Sequence, residues 1–136
     1  MKPELIHPLV LAYLGDGVFE VYVREYLVKD CHLAKPDLLQ KKATHYVSAR
    51  AQAGFMKKAI ENEWLDEEEI SIYKRGRNAK NSRSMKNTSA VIHNQSSGFE
   101  ALIGHLYLLE KHERIEEIFE LYKQYVDEMI EESMRE

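Results

Sequence analysis

Cysteine, proline and glycine are scarce, with one Cys, three Pro and six Gly in 136 residues. A lone Cys31 forms no intrachain disulfide, and without a Cys-x-x-Cys pair or a Cys/His cluster a structural zinc site has no support. Long apolar runs are absent as well. The longest, Leu9 to Leu14, falls far short of the ~20 residues a membrane span needs. The opening Met1-Lys2-Pro3-Glu4 lacks the basic start, apolar centre and cleavage site of a secretory leader. These absences lead to the expectation of a soluble, cytoplasmic protein with no membrane partner, held together by its core. With 44% hydrophobic and 31% charged residues, the chain has the composition of one ordered domain spanning residues 1–136.

With so few breakers, the apolar spacing is helical almost throughout, and it predicts an all-α fold. The first helix, about Pro8 to Lys29, carries apolar residues on nearly every face and reads as a central packed helix. A second is predicted over about Asp37 to Tyr46. Ser48 then reads as an N-cap opening a third, Ala49 to Glu63. Asp66, followed by Glu67-Glu68-Glu69, caps a short fourth helix to about Lys74. The apolar stripe returns over about Ser97 to Lys111 and continues in an amphipathic last helix from Ile115 to Ile130. Trp64 and most tyrosines sit at core spacing. No strand-like alternation and no internal repeat stand out.

The formal net charge is −4, but its distribution is uneven. Between Ile70 and Phe99 lie six basic residues, Lys74, Arg75, Arg77, Lys80, Arg83 and Lys86, and no acidic one. The rest of the chain, above all the last helix, is acidic. A basic loop over 75–96, interleaved with Asn78 and other amides and hydroxyls, suits a polyanion backbone: cations neutralise phosphates while Asn and Ser hydrogen-bond them. The competing explanation is a solvated loop that serves solubility. Arg50, near the start of the third helix, is a further candidate phosphate contact.

Two acids stand out. Asp16, in Tyr13-Leu14-Gly15-Asp16-Gly17-Val18, falls within the packed first helix with no basic residue within one turn. Burying such a carboxylate costs several kcal/mol unless it is paired or bound to a cation. Its flanking glycines admit a close neighbour, either a ligand or another helix backbone. Glu20, by contrast, has Arg24 four residues on and reads as structural. Glu100 repeats the Asp16 pattern in Gly98-Phe99-Glu100-Ala101-Leu102-Ile103-Gly104. If the two helices cross near these acids, they form an oxygen-only site for a hard divalent cation such as Mg2+; the alternative for Glu100 is first-turn dipole stabilisation.

Other catalytic patterns fail. His112-Glu113 lacks the second histidine of a zinc-protease motif, and His105 and His112 lack a third ligand. No phosphate-binding loop or dinucleotide fingerprint is present, and Ser48 has no His/Asp partner in view.

Together, the Asp16 and Glu100 segments resemble the two signature helices of the ribonuclease III endonuclease domain in order, separation and helical context. Val47-Ser48-Ala49-Arg50-Ala51-Gln52-Ala53 and Lys74-Arg75-Gly76-Arg77-Asn78-Ala79 look like the Mini-ribonuclease III branch of that family, whose members lack the double-stranded-RNA-binding domain of the full-size enzymes. The resemblance covers nearly the whole chain. It implies an all-α homodimer that cleaves double-stranded RNA with Mg2+, Mn2+ substituting, leaving 5′-phosphate and 3′-hydroxyl ends. It further implies maturation of the large-subunit (23S) ribosomal RNA precursor, with a ribosomal protein as a further partner. Asp16 and Glu100 fall on the family's metal-binding acids and so take the catalytic and metal-ligand roles. Ala12 and Ser97 stand where the full-size family has two more acids, and this loss motivates the alternative of a catalytically silent RNA-binding protein of the same fold. RNA grip then falls to Arg50, Lys74, Arg75, Arg77, Asn78, Lys80, Arg83 and Lys86. Tyr13 falls where larger members place an aromatic that plugs into the partner subunit.

Overall fold

A computed structural model describes residues 2–31, 34–79 and 88–135. Among these residues six helices follow a short 3-10 turn at Pro3–Leu5: α1 Pro8–Lys29, α2 Pro36–Val47, α3 Ala49–Glu61, α4 Glu67–Arg77, α5 Thr88–Leu108 and α6 His112–Arg135. No strand occurs among the described residues. The predicted all-α class is therefore what the chain adopts.

Side-chain caps explain where α1, α3 and α4 begin. His7 Nδ1 accepts from the Leu9 amide, and Pro8 at the first helical position gives up an N–H that would have had no partner. Ser48 Oγ accepts from the Ala51 amide at 3.1 Å, confirming the predicted cap between α2 and α3. Asp66 and Glu69 close a reciprocal capping box, each side chain accepting from the other's backbone N–H.

The ends hold more surprises. α3 and α5 each stop two or three residues earlier than the apolar pattern predicts, because Glu63 (φ 57°) and Glu110 (φ 59°) take left-handed conformations. The Trp64 and Lys111 amides then reach back to the carbonyls of Ala59 and Leu106, ending each helix in a Schellman-type turn without glycine. α4 runs past Lys74 to Arg77, and α5 opens nine residues before Ser97, at Thr88. The described part of the basic segment 75–96 is thus mostly helical. Residues 75–77 close α4 and residues 88–96 open α5; Lys80, Arg83 and Lys86 lie outside the described residues.

α5 is the central helix. Four rings from four helices meet on it: Phe19 of α1, Phe55 of α3, Phe99 of α5 and Tyr122 of α6, with centroids 4.8 to 5.8 Å apart. All four are essentially fully buried, and such edge-to-face and tilted ring contacts fix relative helix positions as well as removing area from water. A second, smaller cluster of Leu11, Ala12, Ile72 and Ala101 joins α1, α4 and α5. Behind the core, Arg114 of α6 forks onto buried Glu69 at 2.7 and 2.9 Å and donates to the Trp64 carbonyl, tying α6 to the start of α4.

Candidate active site and RNA-binding face

The pairwise contacts give the direction of each helix against α5. Leu11 and Gly15 of α1 meet Gly104 while Phe19 meets Phe99, so α1 runs antiparallel to it. Glu68 meets His105 while Gly76 meets Ser97 and Gly98, so α4 is antiparallel too. Gln52 pairs with Ser96 and Phe55 with Phe99, so α3 runs parallel. These three directions bring the start of α3, the end of α4 and the first half of α5 to one end of the domain.

Glycine permits the closest of these crossings. A Cβ at Gly15 would overlap the Glu100 carbonyl and lie 2.9 Å from the Gly104 nitrogen, and one at Gly104 would overlap the Leu11 carbonyl. The backbones of α1 and α5 are therefore in direct contact at Gly15 and Gly104. The next residue along α1 is Asp16, and the α5 residue under Gly15 is Glu100. The crossing thus brings the backbone of Glu100 against the residue that precedes Asp16.

The structure differs from the sequence reading in one respect. Asp16 is exposed and Glu100 half-buried. The cost of a carboxylate buried among apolar groups does not arise, because α1 is covered on the Gly15 and Phe19 side and left open at Asp16. Gly17, the other flanking glycine, has nothing within 4 Å of a built Cβ. The first glycine serves helix contact and the second keeps the surface beside Asp16 open.

Carboxylates such as Asp16 and Glu100 supply hard oxygen donors of the kind Mg2+ prefers, and Mg2+ is commonly held by one or two carboxylates with water and substrate oxygens completing its shell. The donor set therefore fits that ion. No cluster of three or more His, Cys, Asp or Glu suited to a metal occurs among the described residues. Ala12 is buried against Ile72 and Ala101, and Ser97 is half-buried one turn before Glu100.

The described basic candidates gather at the same end. Arg50, exposed, lies in the first turn of α3; Lys74, Arg75, Arg77 and Asn78 lie at the end of α4, where Lys74 and Asn78 are exposed and Arg75 and Arg77 half-buried. Arg77 sits over the Tyr73 ring at 5.7 Å and donates through Nε to Asn78 Oδ1. Burial pushes the Tyr73 hydroxyl up although Arg77 pulls it the other way. Lys74, Arg75, Asn78 and Ser71 border a shallow 580 Å3 depression on the outer side of α4. Glu20, half-buried, pairs with Arg24 at 3.7 Å, and this pair is the surface feature the sequence suggests. His105 is buried against Glu68, so neither it nor His112, whose ring meets Tyr107, belongs to this end.

Tyr13 lies on another side of α1, 84% exposed, with Val10 and Val21 also exposed. Together with Leu14, Gly17, Tyr22 and Tyr107 it lines an open groove of about 480 Å3 that reaches Asp16 at its edge.

Residues 9–111 match the Ribonuclease III domain model. The chain is 46% identical over 113 residues to the Mini-ribonuclease 3 of Enterococcus faecalis, covering 83% of this chain and 85% of that one. It is 45% identical over 113 residues to the Mini-ribonuclease 3 of Staphylococcus aureus, covering 83% and 84%. Among solved structures it resembles a Fusobacterium nucleatum protein known from X-ray crystallography, with TM-score 0.72 and 32% identity over 84% of this chain and 90% of that one. The chain belongs to the ribonuclease III family.

Proposed function

We propose that this ribonuclease cuts double-stranded RNA as a Mg2+-dependent endonuclease, with Asp16 and Glu100 as its catalytic, metal-holding pair. The observation that carries the reading is the Gly15–Gly104 crossing, which brings the Glu100 backbone against the residue before Asp16, while Arg50 and Lys74 to Asn78 gather where α3 begins and α4 ends. Mn2+ serves in place of Mg2+ on this reading, since both accept oxygen ligands.

When bound, Mg2+ supplies the charge that offsets the phosphate and the acidity that makes a nearby water nucleophilic. The rest falls to the chain. Asp16 and Glu100 hold the ion through their oxygens. Arg50, Lys74, Arg75 and Arg77, with Lys80, Arg83 and Lys86 of the basic segment, neutralise the strand phosphates, and Asn78 adds a hydrogen-bonding amide. Water oxygen bonds to phosphorus as the bond to the 3′ oxygen breaks, leaving a 5′-phosphate and a 3′-hydroxyl, with no covalent link to the protein. A-form RNA hides its base edges, so recognition rests on shape, phosphates and 2′-hydroxyls.

The working unit is a twofold homodimer joined through the exposed apolar stripe of α1. Val10, Tyr13 and Val21 form a patch that a second copy removes from water, and the open space at Gly17 admits a large side chain such as the partner's Tyr13. Because the groove reaches Asp16, dimer formation shapes the edge of each site, and two sites per dimer cut both strands in one encounter. No described helix is long and apolar enough to cross a membrane, in keeping with a cytoplasmic enzyme. Within this reading the substrate is the large-subunit (23S) ribosomal RNA precursor, and a ribosomal protein bound to that RNA is a partner. Incubating the chain with that precursor, with Mg2+ and with chelator, tests the reading. Cleavage to 5′-phosphate ends in Mg2+ alone supports it. RNA binding without any cleavage would instead favour a silent structural protein of the same fold.

A further inference from the structure

His93 carries no signal in the sequence, since the residues from 88 to 96 read as loop until α5 is seen to begin at Thr88. Once that helix is in place, residues 93, 97 and 100 fall on one stripe, because four and seven residues correspond to one and two turns. Asn94 and Ser96 on either side are buried, whereas His93 is exposed. It therefore stands on the outer side of α5, about 10 Å along the helix from Glu100.

Its neighbours follow from the helix directions. The Gln52–Ser96 hydrogen bond sets the start of α3, with Arg50, at the level of this part of α5. The contact of Gly76 with Ser97 sets Arg75, Arg77 and Asn78 of α4 at the same level on the other side. From α1 come Asp16 and Glu20, and from α5 itself Glu100. The other described histidines lie elsewhere: His7 caps α1 at the far end, His105 is buried on Glu68, His112 stacks against Tyr107, and His45 of α2 borders a groove with Ile130.

We propose that His93 is a further RNA-contacting residue, a hydrogen-bonding side chain between the arginines of α3 and α4 that binds a phosphate or 2′-hydroxyl of the duplex. The proposal rests on the reading of this end as the RNA face. An imidazole ring donates one hydrogen bond and accepts another, which suits a phosphate oxygen beside a 2′-hydroxyl. Duplex affinity accordingly falls when the ring is removed.

The test is the affinity of the full chain for a fluorescent RNA duplex, measured in chelator. The variants are His93→Ala, His93→Arg and the double variant Arg50→Gln/Arg75→Gln. His93→Ala binds several-fold more weakly than the wild type, and His93→Arg binds at least as tightly as the wild type. Binding by His93→Ala as tight as wild type, or by His93→Arg as weak as His93→Ala, overturns the proposal. If the arginine double variant then binds weakly, the RNA face stands without His93; if it binds as wild type, the RNA face itself is misplaced.

Discussion

Gly15 and Gly104 meet backbone to backbone where α1 crosses α5, and a Cβ on Gly104 would lie 3.2 Å from the Gly15 nitrogen while overlapping the Leu11 carbonyl. This close approach leaves no room for a side chain on either glycine. It also seats the Glu100 backbone against the residue that precedes Asp16.

Gly15→Ala or Gly104→Ala therefore forces the helices apart. Each is expected to destabilise the fold by roughly 1 to 3 kcal/mol or more, as overpacking does, and to lower cleavage even where the protein stays folded. Gly17→Ala is the control. With open space around Gly17, alanine there is expected to stabilise the helix by up to about 1 kcal/mol. Denaturant unfolding of the three variants checks the contrast, and equal stabilities for Gly15→Ala and Gly17→Ala would contradict the crossing.

Tyr13→Ala is expected to weaken the proposed dimer by roughly 3 to 5 kcal/mol, the scale for emptying a buried aromatic site, and to reduce activity at low enzyme concentration. Sedimentation at sub-micromolar concentration reads it. An unchanged dimer would remove the α1 stripe from the interface.

Replacing Arg75, Arg77, Lys80 and Arg83 with neutral residues is expected to lower duplex affinity and flatten its salt dependence. The log-log slope should fall by roughly 0.7 to 0.9 for each phosphate that the variant leaves unneutralised, while cleavage at saturating RNA survives better. Unchanged affinity and slope would leave the basic segment a solubility feature.

Alkaline stability depends on three packed tyrosines. Burial, with a hydrogen bond to Asp127, raises Tyr46 far above its ordinary range, and burial does the same to Tyr122, whose hydroxyl donates to the Tyr46 carbonyl. Tyr26 is pushed up to about 12, first by burial and next by the charge of Asp127. The unfolded chain releases these protons near 10 and the folded chain does not, so their contribution is complete below that pH and declines as pH rises beyond it. Unfolding free energy is expected to fall steadily above about pH 10, with a shallower fall in Tyr46→Phe. A fall of the same steepness in that variant would contradict the assignment.

Much of this architecture is legible in the sequence, and each gap has a local physical cause. The bounds of α1 follow from Pro8 and an unbroken apolar pattern, and the start of α3 follows from Ser48. The first half of α5 escapes notice because His93, Asn94, Gln95 and Ser96 carry no apolar stripe. Their helix is held by tertiary contacts such as Gln52 with Ser96 and Gly76 with Ser97. Burial of Glu69 is hidden for the same reason, since its partner Arg114 lies 45 residues away. Asp16 and Glu100 are visible as unusual acids, but the exposure of Asp16 depends on where α1 leaves the core, which periodicity alone does not reveal.

The central claim is that Asp16 and Glu100 act together on one ion to cut RNA. Its most direct test is the single-turnover cleavage rate of a duplex RNA in Mg2+ by Asp16→Asn, Glu100→Gln and the double variant, alongside helical content and duplex binding in chelator. Each single variant is expected to lose cleavage while folding and binding duplex as the wild type does, and the double variant is expected to lose little more, because groups that act as a unit are not additive. A folded Asp16→Asn that cuts at a near-normal, Mg2+-dependent rate would contradict the account.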